Sequence, residues 1–290
     1  MAGHPEPDVL VSLSDGRRIG VDDRGAPDGV PVLFFHGTPD TRLARHPDDS
    51  IAADLGVRVI APDRPGLGSS DTDPGATPLS VADDHLAVLD HLAVDRAHAV
   101  AWSAGTIHAL ALAGAHPDRV TSLTLVAPLV PADAYDDPRM LEGSDDARQL
   151  FAEHLGTMPP DELGRELAMW LVPPELDPVT AKAMLEQSVD RVAHVPGAGD
   201  ALVQALLGSV HQGMTGLECE IGAQATVLGP LLDQVRAPVS VHAGDDDTVT
   251  PLAMATWLAE RFDAPLRVHH AGHEIGITAW DEILRELDRG

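Results

Sequence analysis

Apolar positions along this chain follow two rhythms. Short apolar runs bounded by Gly, Pro and Asp read as strands, and longer stretches with apolar residues every three or four positions read as helices. Residues 9–13 and 17–22, split by Asp15-Gly16, predict an opening hairpin. Further strands are predicted at 31–35, 57–61, 97–102, 122–127, 238–243 and 266–270. Helices are predicted at 81–92, with Ser80 placed to cap it, and at 104–116, 252–261 and 274–287. Strands alternating with helices imply an α/β architecture. Its sheet is mostly parallel, eight-stranded and covered by helices on both faces.

The alternation stops after Pro128 and resumes near residue 238. Between about 131 and 225 only helical patches appear, at 145–155, 161–171, 178–192 and 200–211, separated by Pro and Gly clusters. The expected organisation is therefore an α/β core made of residues 1–130 and 226–290, interrupted by a helical insertion at 131–225. A chain of 290 residues is long enough for one such domain.

Composition narrows the classes. Nineteen Lys and Arg stand against 46 Asp and Glu, a formal charge of −27, which repels nucleic acid and anionic membranes. No run approaches the roughly 18 uninterrupted apolar residues of a membrane span. The opening residues lack a basic segment followed by an apolar one, so a cytoplasmic location is expected. One cysteine, Cys219, excludes an internal disulfide and a cysteine zinc cluster. Neither the sequence Gly66-Leu-Gly-Ser-Ser-Asp71 nor the adjacent pairs Asp84-His85 and Asp90-His91 make a convincing nucleotide or metal site. No cofactor and no metal are expected. The expected partner is a small-molecule substrate, with the chain a monomer or homodimer.

The segment Ala97-His-Ala-Val-Ala-Trp-Ser-Ala-Gly-Thr106 carries the candidate chemistry. Ser103 lies between a strand-like run and an Ala/Leu-rich helical run, with Ala101 and Gly105 two positions to either side. A sharp strand-to-helix turn tolerates only small residues there, strains the serine backbone and sets its hydroxyl at a helix N-terminus. In that context the chain resembles the α/β-hydrolase superfamily, specifically its capped esterase and peptidase-like members. The departure is Ala101, where the family pattern has glycine.

The resemblance implies the remaining roles. Ser103 is the nucleophile, and the backbone N–H groups of Ala104 and of Thr38, in His36-Gly-Thr-Pro39, form the oxyanion hole. Gly244-Asp-Asp-Asp-Thr-Val-Thr-Pro251 matches the acid turn at Asp247, with Asp245 and Asp246 as alternatives. Gly272-His273 matches the loop of the base. Asp63-Arg-Pro-Gly-Leu-Gly-Ser matches a loop taken as structural, and His36 is read as bracing its own loop. The insertion becomes a cap, and Trp102, Met158, Trp170 and Met214 become candidate substrate contacts, with Met169 and Leu171 beside them. The implied reaction is hydrolysis of a small ester, thioester or lactone through an acyl-enzyme. An aminopeptidase resembling proline iminopeptidase is the first alternative, with Glu162, Glu166 and Glu186 available for a substrate amine. Cofactor-free haloperoxidase, carbon–carbon hydrolase or acyltransferase chemistry and a non-catalytic binding protein stay open.

Overall fold

A computed structural model describes residues 4–142 and 146–287. All eight predicted strands form, as β1 Val9–Ser12, β2 Arg18–Gly25, β3 Val30–Phe35, β4 Val57–Pro62, β5 Ala97–Trp102, β6 Val120–Val126, β7 Val239–Gly244 and β8 Leu266–His269. They make one sheet in the order β1-β2-β4-β3-β5-β6-β7-β8. The β1–β2 and β2–β4 pairs are antiparallel, and every other pair is parallel. All six residues of β5 are buried, as a central strand covered on both faces requires.

The helices are α1 Asp49–Asp54, α2 Pro78–His91, α3 Gly105–Ala115, α4 Asp146–His154, α5 Pro160–Leu171, α6 Pro178–Met184, α7 Glu186–Arg191, α8 Ala198–Ser209, α9 Thr215–Gln224, α10 Pro230–Gln234, α11 Leu252–Phe262, α12 Ile275–Thr278 and α13 Trp280–Arg285. Helix α3, rich in Ala and Leu, is buried at ten of its eleven positions. Small residues let its neighbours close in: a Cβ on Gly114 would lie 2.4 Å from the Leu231 carbonyl of α10. Helix α2 starts three residues before the predicted position. Thr77 is its cap, and Ser80 is the reciprocal partner in a capping box rather than the cap itself.

The predicted helical insertion at 131–225 folds as α4 to α9 and gathers its own apolar cluster around Leu163, Leu167, Val203, Leu206, Leu217 and Ile221. The helix predicted at 145–155 corresponds to α4; its first predicted residue, Asp145, lies outside the described residues. The runs 178–192 and 274–287 each break into two helices, at Leu185 and at Ala279. Helix α1 is too short to show a period. Helix α9 lacks an apolar stripe for a different reason: it meets its neighbours through backbone. A Cβ on Gly216 would lie 2.2 Å from the Gly66 carbonyl, and one on Gly222 would lie 2.6 Å from that of Pro160. Among the described residues no helix is long and apolar enough to cross a membrane, and no group of three metal-binding side chains occurs.

The loop after β4 is held by a buried ion network. Arg42 donates to Asp22 (Nε–Oδ1 2.8 Å) and to Asp63 (Nη1–Oδ2 2.6 Å), and Asp63 also accepts from the amides of Arg42 and Ser69 (both 2.8 Å). Burial pushes the Asp63 carboxyl up in spite of Arg42. Removing one partner of a buried pair leaves an uncompensated charge, which costs about 3–5 kcal/mol. Arg42→Met is expected to lose stability on that scale. A urea midpoint unchanged from wild type would show that the network is dispensable.

Candidate active site

Strand β5 delivers Ser103 at its end. The residue is held at φ +55°, in the left-handed region, which costs an L side chain about 1–2 kcal/mol. Backbone bonds hold it there. Its N–H donates to the Val126 carbonyl (3.0 Å), and its carbonyl accepts from Thr106 and Leu129 (both 3.1 Å). Gly105 is required by space, because a Cβ there would lie 2.3 Å from the Phe35 carbonyl and 2.7 Å from that of His36. Ala101 is fully buried and fits the turn in place of glycine.

The loop after β3 runs against this serine, with a Cβ on Gly37 placed 3.2 Å from Ser103 Cβ. Ser103, Ala104 and Thr38 share the wall of an 80 Å³ cavity. Among the described residues nothing accepts a hydrogen bond from the N–H of Thr38 or of Ala104.

On the other side, His273 lines a second cavity of 170 Å³ together with Trp102 and Asp40. Thr38 and Val249 belong to both walls, so the two cavities flank the same residues. Nδ1–H of His273 donates to Asp247 Oδ2 (2.9 Å), and Trp102 Nε1–H donates to the His273 carbonyl (3.0 Å). Asp247 Oδ1 accepts from the amides of Val249 (2.8 Å) and Thr250 (2.9 Å), and the Thr250 hydroxyl donates to Oδ2 (2.9 Å). Burial works to raise the Asp247 carboxyl, but His273 and these donors hold it below the usual range. Burial works to lower His273, but Asp247, then Glu274 and Asp40, outweigh it and hold the imidazole above its ordinary value.

The three neighbouring carboxylates separate by direction. Only Asp247 turns inward; Asp245 pairs with the exposed His270 (2.9 Å) and Asp246 with Arg191 (2.8 Å). Of the candidate substrate contacts, the structure brings Trp102 and Leu171 to a cavity. Met158 and Met214 pack against the apolar cluster of α4 to α9, while Met169 (67% exposed) and Trp170 (54%) face outward. Glu162, Glu166 and Glu186 are exposed, away from both cavities.

The sequence did not assign several residues to the site. Asp40 is one: burial pushes its carboxyl up to about 6, against the pull of His273 and Arg64. The others form a buried polar cluster behind the loop after β3. Arg64 donates to the His36 carbonyl (2.6 Å), the Gly37 carbonyl (2.8 Å), Thr38 Oγ1 (3.1 Å) and Glu220 Oε2 (2.8 Å). Glu220, on α9, also accepts from Thr38 Oγ1 (2.9 Å) and lies 3.1 Å from His108 Nε2. Gln224 Nε2 donates to Thr38 Oγ1 (3.2 Å). Burial works to raise the Glu220 carboxyl, yet Arg64 and then His108 hold it well below the usual range. His36 is fully buried and braces its loop through Nδ1–H to the Gly37 carbonyl (2.9 Å).

Comparison with known proteins adds a family-level finding. The model describing the alpha/beta hydrolase fold matches residues 30–279. A protein of Variovorax paradoxus, named as a carbamate hydrolase, RutD, is 27% identical over 91% of this chain and 92% of its own length. A protein of the same name from a Caulobacter species is 31% identical over 77% of this chain and 76% of its own. The crystal structure of the enol-lactonase from Burkholderia xenovorans superposes with a TM-score of 0.67 at 18% identity, covering 96% of this chain and 97% of that one.

Proposed function

The chain belongs to the alpha/beta hydrolase fold family, and on that premise we propose that it is a serine hydrolase acting on a small ester, thioester or lactone through an acyl-enzyme at Ser103. The observation that carries this reading is the left-handed Ser103, facing a cavity that it shares with the unclaimed amides of Thr38 and Ala104. The carbamates named for two relatives are acyl compounds open to the same attack.

In this reading His273 removes the Ser103 proton as Oγ adds to the substrate carbonyl. Asp247 fixes the imidazole tautomer and stabilises the imidazolium that results. The oxyanion takes hydrogen bonds from the Thr38 and Ala104 amides. Each such donor is typically worth about 2.7–4 kcal/mol of barrier. The intermediate collapses with the proton passing from His273 to the leaving group. A water, deprotonated by the same imidazole, then releases the acid. Cavities of 80 and 170 Å³ suit small acyl and leaving groups. Residues 131–225 then serve as the cap that closes both cavities. An aminopeptidase drawing on Glu162, Glu166 and Glu186 is disfavoured by their exposure.

Intact mass after treatment with a fluorophosphonate tests the assignment. Wild type is expected to gain one adduct and Ser103→Ala none. No adduct on wild type, or one retained by the variant, would overturn it.

The base is active only when neutral, so activity should rise with pH through the His273 titration. Because His273 is held above its ordinary value, the acid limb is expected to have a midpoint above about 6.5. Asp40→Asn removes one of the negative charges that raise it, so the midpoint should move to lower pH. A midpoint that stays put or moves upward would show that Asp40 does not act on the imidazole.

A further inference from the structure

The oxyanion loop and Arg64 are joined in a way that bears on the strength of the site. The Gly37–Thr38 peptide carries the Gly37 carbonyl at one end and the Thr38 N–H at the other. A planar trans peptide points these two groups in opposite directions, so whatever fixes the carbonyl aims the N–H. The Gly37 carbonyl accepts from the Arg64 guanidinium at 2.8 Å, while the preceding His36 carbonyl accepts from the same cation at 2.6 Å. A charged donor on the carbonyl also polarises the peptide and strengthens its N–H as a donor. Resting on the reading of Ser103 as nucleophile and Thr38 as oxyanion donor, we propose that Arg64, held by Glu220, is a positioning residue that aims and polarises the Thr38 amide.

The planar guanidinium fork reaches two successive carbonyls and a carboxylate at once, which a lysine cannot do. Both Arg64 and Glu220 are buried, at 1% and 4% exposure. A buried ion pair is replaceable by apolar residues of like volume at little or no loss of stability, so adhesion alone does not call for charge here. The cation's contacts with two loop carbonyls give it a task that an apolar pair cannot perform. Its counter-ion comes from α9, 156 residues further along the chain. Gln224 and Glu220, both on α9, also hold the Thr38 hydroxyl. The oxyanion donor is thus completed only when the helical segment is seated.

Arg64→Lys and the milder, near-isosteric Glu220→Gln test this in the full-length protein, after circular dichroism and melting confirm folding. The readouts are kcat and KM on 4-nitrophenyl acetate, and the affinities of a trifluoromethyl ketone and of its methyl ketone counterpart. Only the first forms a tetrahedral oxyanion on serine. For Arg64→Lys we expect kcat to fall by about 10- to 100-fold, less than for losing a donor outright, with KM within about threefold. Trifluoromethyl ketone affinity should fall by a similar factor and methyl ketone affinity should hold. Glu220→Gln should shift the same two quantities by a smaller factor. Unchanged kcat in either folded variant, a change carried wholly by KM, or equal losses for both ketones would overturn the proposal. Fluorophosphonate labelling of wild type at Ser103 separates the two ideas. Without an adduct the underlying reading fails; with one, and with no effect of these variants, only the role of Arg64 and Glu220 fails.

Discussion

Replacing Ser103 with alanine is expected to lower kcat on 4-nitrophenyl acetate about a million-fold. The substitution removes one atom, Oγ, and leaves the elbow, the Ala104 amide and both cavities in place. What remains should be about the 10³- to 10⁴-fold acceleration over water that binding and the oxyanion donors supply without a nucleophile. A companion variant separates chemistry from strain. Ser103→Gly also lacks the nucleophile, but it relieves the left-handed backbone at φ +55°. The gain of about 1–2 kcal/mol is offset in part by the greater freedom of glycine in the unfolded chain. The glycine variant should therefore be inactive yet at least as stable as wild type by urea midpoint. Turnover within tenfold of wild type in either variant would place the nucleophile elsewhere.

Asp247→Asn should lower kcat by about 10⁴-fold with little change in melting temperature. The asparagine oxygen can keep the amide bonds from Val249 and Thr250. Its NH₂ then faces His273 Nδ1, where the carboxylate now accepts. A donor at that point favours the tautomer protonated on Nε2, which has no lone pair left for the serine proton. Asp245→Asn and Asp246→Asn, at exposed carboxylates paired outward, should stay within about twofold of wild type, as surface pairs contribute little. A large loss in one of those two, with Asp247→Asn near normal, would move the acid to that neighbour.

The strands were legible because each is a short apolar run between turn residues, and the loops at the strand ends follow from strand order. The resemblance already pointed to Asp247, with Asp245 and Asp246 as alternatives, but the direction each carboxylate faces is not written in three identical side chains and came only from the fold. Helix α9 was hidden because glycine seams and inward polar residues replace an apolar stripe. Asp40 and Glu220, and the task of Arg64 in a loop read as structural, were hidden for a related reason. Each is an ordinary charged residue until the chain brings it to His273 or to the loop after β3. Trp170 and Met169 show the converse, large apolar side chains that look like pocket lining and face outward.

The glycine seams of α9 and its buried carboxylate, Glu220, also govern how the segment between β6 and β7 can be exchanged among relatives. A chimaera carrying residues 131–225 on a core without an arginine at the place of Arg64 would bring Glu220 against a loop with no guanidinium to meet it. Conversely, this core with a segment that lacks a carboxylate at the place of Glu220 would bury Arg64 without its counter-ion. Either mismatch leaves one buried charge alone, at a cost of about 3–5 kcal/mol, a large part of the stability of a typical domain. For recombination, positions 64 and 220 therefore behave as one inherited unit, although most of the gene lies between them.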